Sequence, residues 1–340
     1  MQSTPDSFRH WRAPAASEIG KDHIDFLHIL REPTWITLDG VDITRQHIIV
    51  TLLHGNEPSG LRAVHDFLLS GEKPEINLGI FVVSVNTALR APIFSHRYPP
   101  EEQDFNRCFG QPDDTNQEKP ATRIVEILHA FQPEAIVDTH NTTAHSEPFA
   151  VSISEATAIQ QLSQVFTRCL VVLDQILRKL IEQPLGCPLI SVEFGGLMNP
   201  RADLLARDTL LDFINRKHLL DTEALATRFL MHPLRLEVHE TAQLHYSSSV
   251  QDKSDITIFN TIDQLNFSRI ETGTPFGWLG DDRLKPLRVL DRYGQDLSRD
   301  LFDEHEGFLI TKAPMTMFMA TKDSYIAVND RLMYLCPERQ

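Results

Sequence analysis

Between residues 34 and about 220, short β-branched runs alternate with longer amphipathic stretches, and this alternation restricts the chain more than any other feature. It is the pattern of an α/β sheet covered by helices. Buried strands are predicted at residues 46–53 (QHIIVTLL), 79–85 (GIFVVSV), 135–138 (AIVD) and 189–193 (LISVE), each running into polar or glycine-rich sequence. Helices are predicted over 59–69, 121–131, 156–169 and 202–219, where apolar residues recur at three- and four-residue intervals. After about Asp221 the texture changes to short alternating runs, such as 234–238 and 254–259, separated by turn signals at Glu271-Thr-Gly-Thr-Pro, Gly280-Asp-Asp and Tyr293-Gly. The expected organisation is a loose Ser/Pro/Ala-rich arm over 1–17, an α/β domain over 18–220 with a mixed sheet flanked by helices, and a smaller all-β domain over 221–340.

Apolar residues make up 41% of the 340, enough for such cores. Lys and Arg number 32 against 47 Asp and Glu, a net charge of −15, which argues against nucleic acid as a partner because binding it requires cationic surface. An anionic ligand must therefore meet a local basic pocket. The opening stretch 1–12 has no apolar core, and the longest apolar runs fall short of the roughly 20 residues that cross a bilayer, so no membrane contact is expected. Cys108, Cys169, Cys187 and Cys336 lie far apart, without the paired spacing of a disulfide framework or a thiolate zinc site. A cytoplasmic location is expected, and a homo-oligomer is left open.

The most informative segment is Leu53-His-Gly-Asn-Glu-Pro-Ser-Gly60, which places His54 and Glu57 directly after a predicted buried strand. Imidazole and carboxylate three residues apart on a tight turn can converge on one ion. Catalytic zinc takes three protein ligands and keeps a position for water. A third ligand is offered by His140 in Asp138-Thr-His-Asn-Thr142, again at a predicted strand end, where ligands gather in open α/β sheets. A lone His-x-x-Glu is short and common in solvated turns. What distinguishes this one is the company of groups that a zinc hydrolase also needs.

Water activated at such a site needs a base to take its proton and pass it to the leaving amine. Glu193, in Ser191-Val-Glu-Phe-Gly-Gly196, is a carboxylate amid apolar neighbours, costly to bury unless paired or functional. Arg97 and the pair Asn106-Arg107 fall in one loop-like stretch between a strand and a helix. One guanidinium can grip a carboxylate and another can face a developing oxyanion. His239 and His245, six apart, would share one face of an extended strand and are read as surface or pocket-rim residues. Cys108 is read as a packed thiol.

The ordered set His54-x-x-Glu57, Arg97, Asn106-Arg107, His140 and Glu193 resembles the succinylglutamate desuccinylase/aspartoacylase family, which has the zinc carboxypeptidase fold. The resemblance covers most of residues 46–215 and includes Asp104-Phe-Asn-Arg107, Asp138-Thr-His-Asn-Thr-Thr143 and Arg201-Ala-Asp-Leu-Leu205. Farther on, Asp263-Gln-Leu-Asn-Phe267 and Glu271-Thr-Gly-Thr274 look like the strand and turn of that family's β unit. It implies one zinc per chain on His54, Glu57 and His140, with Glu193 as base and Arg97 polarising the scissile carbonyl. Asn106 and Arg107 would receive the carboxylate of a small anionic N-acyl amino acid. Where aspartoacylases carry a further arginine, ten residues before the base, this chain has Gln183, with Arg178 and Lys179 nearby; their β-unit tyrosine has no counterpart around Lys312-Ala-Pro-Met315. The expected reaction is hydrolysis of an acyl amino acid to a carboxylic acid and a free amino acid. A metallocarboxypeptidase acting on short peptides and a catalytically silent metal- or ligand-binding module remain as alternatives.

Overall fold

The structure, a computed structural model, describes residues 8–110, 118–174, 176–197, 199–221, 223 and 226–338. It divides into two compact units, one of residues 1–141, 148–170 and 176–229, the other of 142–147, 171–175 and 230–340.

The long apolar runs of the first half become a mixed sheet of β1 (Arg9–Arg12), β2 (Thr34–Leu38), β3 (Asp42–Thr51), β4 (Ile76–Val82), β5 (Ala135–Thr142), β6 (Phe149–Ser152), β7 (Cys169–Val172), β8 (Leu189–Gly196) and β9 (Arg228–Met231). Their order is β1-β2-β4-β3-β5-β8-β6-β7-β9. β3 runs parallel to β4 and to β5, whereas β2–β4 and β6–β8 are antiparallel. Central strands are covered on both faces, which is why Ile48, Ile49 and Val50 are all buried and why every residue of β5 is buried.

Helix Ser59–Ser70 follows β3 and presents Leu61, Val64, Phe67 and Leu68 to the core. Helix Pro200–Asn215 follows β8; Asn199 caps it by accepting from Arg201 N at 3.1 Å, and Pro200 stands where no backbone N–H is needed. Its Ala202, Ala206, Leu210 and Phe213 form the buried stripe. Asp203 joins the two helices, accepting from Ser59 Oγ at 2.7 Å and from Arg62 Nη1 at 2.5 Å.

In the second unit, residues 234–337 build two five-stranded sheets. One contains β10 (Leu234–Val238), β13 (Arg269–Ile270), β15 (Leu287–Leu290), β18 (Met315–Phe318) and β19 (Met333–Pro337). The other contains β11 (Leu244–Ser247), β12 (Ile256–Phe259), β14 (Pro275–Leu279), β16 (Phe302–His305) and β17 (Phe308–Thr311). Leu236, Ile258, Phe276, Val289, Met317 and Leu335 lie in their shared core.

Several expectations are corrected. Residues 1–7 of the expected arm lie outside the described residues, but Arg9–Arg12 is not loose: it pairs in parallel with β2. The helix expected over 156–169 spans only Thr157–Ser163. After a turn over 164–166, Thr167 donates Oγ1 to Pro148 O at 2.8 Å and accepts from Cys169 N at 3.2 Å, and Cys-Leu-Val-Val then enters the sheet as β7. Residues 263–267, likened to a strand, begin in a 3-10 helix over Ile262–Leu265, whereas Thr274 N does close a turn onto Glu271 O at 3.2 Å.

His47, inside β3, is fully buried and stacked on Phe213, with ring centroids 4.6 Å apart. Burial pushes its imidazole down to about 4, against the opposing pull of Glu134. The folded pKa is therefore depressed below the unfolded value of about 6.5, so the contribution is intact above that pH and is lost as pH falls toward 4. The expected loss by pH 4 is about 3 kcal/mol. Urea midpoints at several pH values should show a shallower acid dependence in His47→Phe, which keeps the stack; equal slopes would mean the imidazole is not held neutral.

Candidate metal centre and active site

At the end of β3 the chain turns sharply, with Glu57 N bonded to His54 O at 3.2 Å. Gly55 is required there: a Cβ would sit 2.6 Å from Thr87 Cγ2 and 2.8 Å from His96 O. The turn is pinned by Gly55 N donating to Arg97 O at 3.0 Å. Gly60 lets the following helix approach β5, since a Cβ would lie 2.1 Å from Thr139 Oγ1. Asn141, on β5, completes the docking: its Oδ1 accepts from Ser59 N at 3.1 Å and its Nδ2 donates to Ser59 Oγ at 2.9 Å.

This packing brings His54, Glu57 and His140 together, all buried. His54 Nδ1 lies 2.9 Å from Glu57 Oε2, His140 Nδ1 lies 2.7 Å from the same oxygen, and the two Nδ1 atoms are 3.2 Å apart. A tetrahedron with metal–ligand bonds of about 2.0–2.1 Å has edges of roughly 3.3 Å, so separations of 2.7, 2.9 and 3.2 Å make a somewhat contracted version of a zinc-binding face. Two imidazoles and a carboxylate are also a donor set that zinc accepts.

The far side of each imidazole is held by a carboxylate. His54 Nε2 is 3.0 Å from Asp104 Oδ1, and His140 Nε2 is 2.7 Å from Asp138 Oδ2. With Nε2–H donating outward, each Nδ1 turns its lone pair to the centre, the arrangement by which metal-bound histidines are oriented. Asp104 is itself gripped by Arg97, whose Nε and Nη2 lie 3.1 and 3.0 Å from Oδ2; Arg97 Nη1 donates to Glu57 Oε1 at 3.0 Å. One guanidinium thus touches one candidate ligand directly and another through its carboxylate partner.

These contacts sort the carboxyl groups. Burial would raise Glu57, but the charges of His54 and His140 hold it well below the usual carboxylate range. Burial is likewise overcome at Asp104 by His54 and Arg97. Glu193, inside β8, goes the other way: burial and then the Glu57 charge push it up against the pull of His140 and Arg97, and its buried Oε2 has no hydrogen-bond partner among the described residues. A raised carboxyl with one unengaged oxygen beside a metal-binding face is suited to proton transfer.

Asn106 and Arg107 lie in a 3-10 turn, Phe105–Arg107, opened by Asp104 Oδ1 accepting from Asn106 N at 2.9 Å. Arg107 is half-buried, with Nη1 donating to Asn106 O at 2.9 Å and standing 3.9 Å from Asp104 Oδ2. Asn106 Oδ1 accepts from Leu180 N at 3.1 Å, and Phe109 N donates to Arg178 O at 3.1 Å, so the backbone beside Arg178 and Lys179 is tied to this turn. Gln183 spends its side-chain amide on Lys179 O.

The structure therefore places His54, Glu57, Arg97, Asn106, Arg107, His140 and Glu193 in one unit, and all but Glu193 are linked by hydrogen bonds or ion pairs that run through Asp104 and Glu57. His140 and Glu193 sit inside their strands rather than beyond the ends, because the β5 and β8 ladders run on through polar residues. His239 and His245 do not share a strand; the first follows β10 and meets Thr241, the second lies in β11 and meets Ser254. Cys108 is a buried thiol directed at Asp104 O. The orienting roles of Asp104, Asp138 and Asn141 were not read from sequence, although Asp138 stands two residues before His140 on the same strand face.

Burial lowers His140, but the Asp138 and Glu57 charges outweigh it and raise the imidazole above its ordinary value. A metal ligand must be deprotonated, so uptake competes with that proton. Apparent zinc affinity, measured by chelator competition, should go on rising with pH beyond the ordinary imidazole range, whereas an imidazole of ordinary pKa would give a plateau near 6.5. The chain should carry one zinc, and a His54→Ala, His140→Ala double variant should carry none; unchanged metal content in that variant would remove both residues from the ligand set.

Residues 44–212 match the succinylglutamate desuccinylase/aspartoacylase catalytic domain. The fold is similar to that of a succinylglutamate desuccinylase from Vibrio parahaemolyticus, with TM-score 0.59 and 13% identity over 94% of this chain and 96% of that one. A succinylglutamate desuccinylase/aspartoacylase from Rhodobacter sphaeroides gives 0.58 and 14% over 89% and 88%. A product-bound ectoine utilization protein from Ruegeria pomeroyi gives 0.52 and 18% over 83% and 82%. No curated protein matches the sequence. With the matched segment carrying the motifs, residues 44–212 belong to the succinylglutamate desuccinylase/aspartoacylase family as its catalytic domain.

Proposed function

We propose that the chain is a zinc-dependent amidohydrolase that cleaves the amide bond of a small N-acyl amino acid. The observation that carries this reading is the buried triangle of His54 Nδ1, Glu57 Oε2 and His140 Nδ1 with Glu193 Oε2 left unengaged among the described residues. Zinc held by those three side chains would supply Lewis acidity and lower the pKa of water at the site. Glu193 takes the proton from the attacking water. The water oxygen bonds to the acyl carbon, and negative charge gathers on the former carbonyl oxygen, which Arg97 faces with the N–H groups that Asp104 and Glu57 leave over. Glu193 then returns the proton to the nitrogen as the C–N bond breaks, releasing a carboxylic acid and a free amino acid. Arg107, with Asn106 beside it, receives the substrate carboxylate; among the described residues its contacts to Asn106 O and Asp104 fall on Nη1, so the rest of its planar fork remains for a two-pronged contact.

A hydrolysis screen over acetyl-, succinyl- and other acyl-amino acids, with short peptides included, tests this reading. Turnover of one acyl-amino acid class is expected; cleavage of peptides alone would make the protein a carboxypeptidase, and silence on all of them a binding module. On the best substrate, Glu193→Gln should keep its zinc and lose about 10²–10⁴-fold in kcat, so a near-normal rate would dismiss Glu193 as the base.

Arg107→Ala should raise KM by one to two orders of magnitude with little change in kcat, the signature of lost ground-state binding. A fall in kcat at constant KM would contradict the anchoring role.

A further inference from the structure

Strand β8 carries Ser191 and Glu193 two residues apart, on one face. Its sheet neighbour β5 carries Asp138 and His140 with the same spacing. Ser191 Oγ donates to Asp138 Oδ2 at 2.8 Å, the same oxygen that lies 2.7 Å from His140 Nε2. Asp138 is fully buried, and its other oxygen, Oδ1, has no hydrogen-bond partner among the described residues.

A carboxylate removed from water normally collects several donors. Among the described residues this one has two side-chain donors, and both fall on a single oxygen. One of them is the imidazole whose orientation it sets. The terminal torsion of an aspartate is broad and two-fold, and no hydrogen bond among the described residues holds Oδ1. The hydrogen bond that can fix the carboxylate independently of the imidazole is that of the Ser191 hydroxyl, itself buried on the strand that carries Glu193.

We propose that Ser191 is a positioning residue of the metal site: its hydroxyl locks the Asp138 carboxylate, which locks the His140 ring with Nδ1 toward Glu57 Oε2 and His54 Nδ1. Strand β8 then sets the base and a ligand together, so that one register governs both. The inference rests on the zinc reading above.

Zinc affinity of the purified full chain, measured by competition with a chromogenic chelator, tests it together with thermal unfolding of each variant. Ser191→Ala should bind zinc about ten- to a hundredfold more weakly, with its fold intact, whereas Ser191→Thr, which restores the hydroxyl, should stay within about threefold of the unaltered chain. If the Ala variant does not fold, Ser191→Val against Ser191→Thr is the deciding pair, since these differ by little more than the hydroxyl; the Val form should be the weaker binder by the same factor. Equal zinc affinity in the Ala and unaltered proteins, or in the Val and Thr variants, overturns the inference and leaves the zinc reading standing. Failure of the unaltered chain to take up zinc overturns both.

Discussion

Three lone pairs aimed at one point are the constraint around which the first unit is built. His54 Nδ1, Glu57 Oε2 and His140 Nδ1 stand 2.7–3.2 Å from one another, buried. A proton can satisfy two of them at a time, but only a cation satisfies all three. Holding them there requires the β3–β5 register, in which Val50 faces Asp138 and Thr51 faces Thr139, so that the turn after β3 lies beside the end of β5. It also requires the glycines at 55 and 60, without which the turn could not approach His96 O nor the helix approach Thr139.

Much of this was legible because its parts are local. His54 and Glu57 share one turn, His140 and Glu193 each belong to one apolar strand, and Asn106-Arg107 are adjacent. Element types followed from periodicity where a segment stayed in one period, as in 46–53 or 59–69. Reading 156–169 as one helix failed because the apolar spacing runs on unbroken into Cys-Leu-Val-Val, whereas the chain leaves the helix after Ser163 and Thr167 is tied to Pro148 O, nineteen residues away in sequence. The orienting carboxylates were hidden for a related reason. Asp104 meets His54 across fifty residues, and Ser191 meets Asp138 across fifty-three, through a sheet in which β8 is inserted between β5 and β6. No local pattern encodes that neighbourhood.

The site also shows how an acidic chain keeps several carboxyl groups together. Glu57, Asp104, Asp138 and Glu193 crowd around two imidazoles and Arg97, yet each has a different set of partners. Asp104 and Glu57 receive direct hydrogen bonds from cationic or proton-bearing nitrogens and are held ionised. Asp138 is tied to an imidazole and a hydroxyl. Glu193 has a buried oxygen without a hydrogen-bond partner among the described residues, as Asp138 does, and it is the carboxyl group whose pKa burial raises. Environments that push neighbouring carboxyl groups apart assign acid–base roles without any change of residue type. In the proposed reaction, a divalent cation in the triangle would lower Glu193 and His140 together, favouring an ionised carboxylate and a neutral imidazole at the same pH.

Arg97 and Arg107 show how position rather than chemistry divides labour between two guanidiniums. Each has five N–H groups. Arg97 commits three of them, at about 3 Å, to Asp104 and Glu57, and through Asp104 it reaches His54. In the proposed reaction, the donors that remain would be fixed in place before any substrate arrives, the condition under which such donors stabilise developing charge best. The same rigidity means that Arg97 cannot be removed without disturbing two members of the ligand set. Arg107 contacts the peptide oxygen of its neighbour and stands 3.9 Å from Asp104, outside hydrogen-bond range. Among the described residues the rest of its fork is unengaged, which in the proposed reaction would leave it to follow a carboxylate without drawing on the triangle.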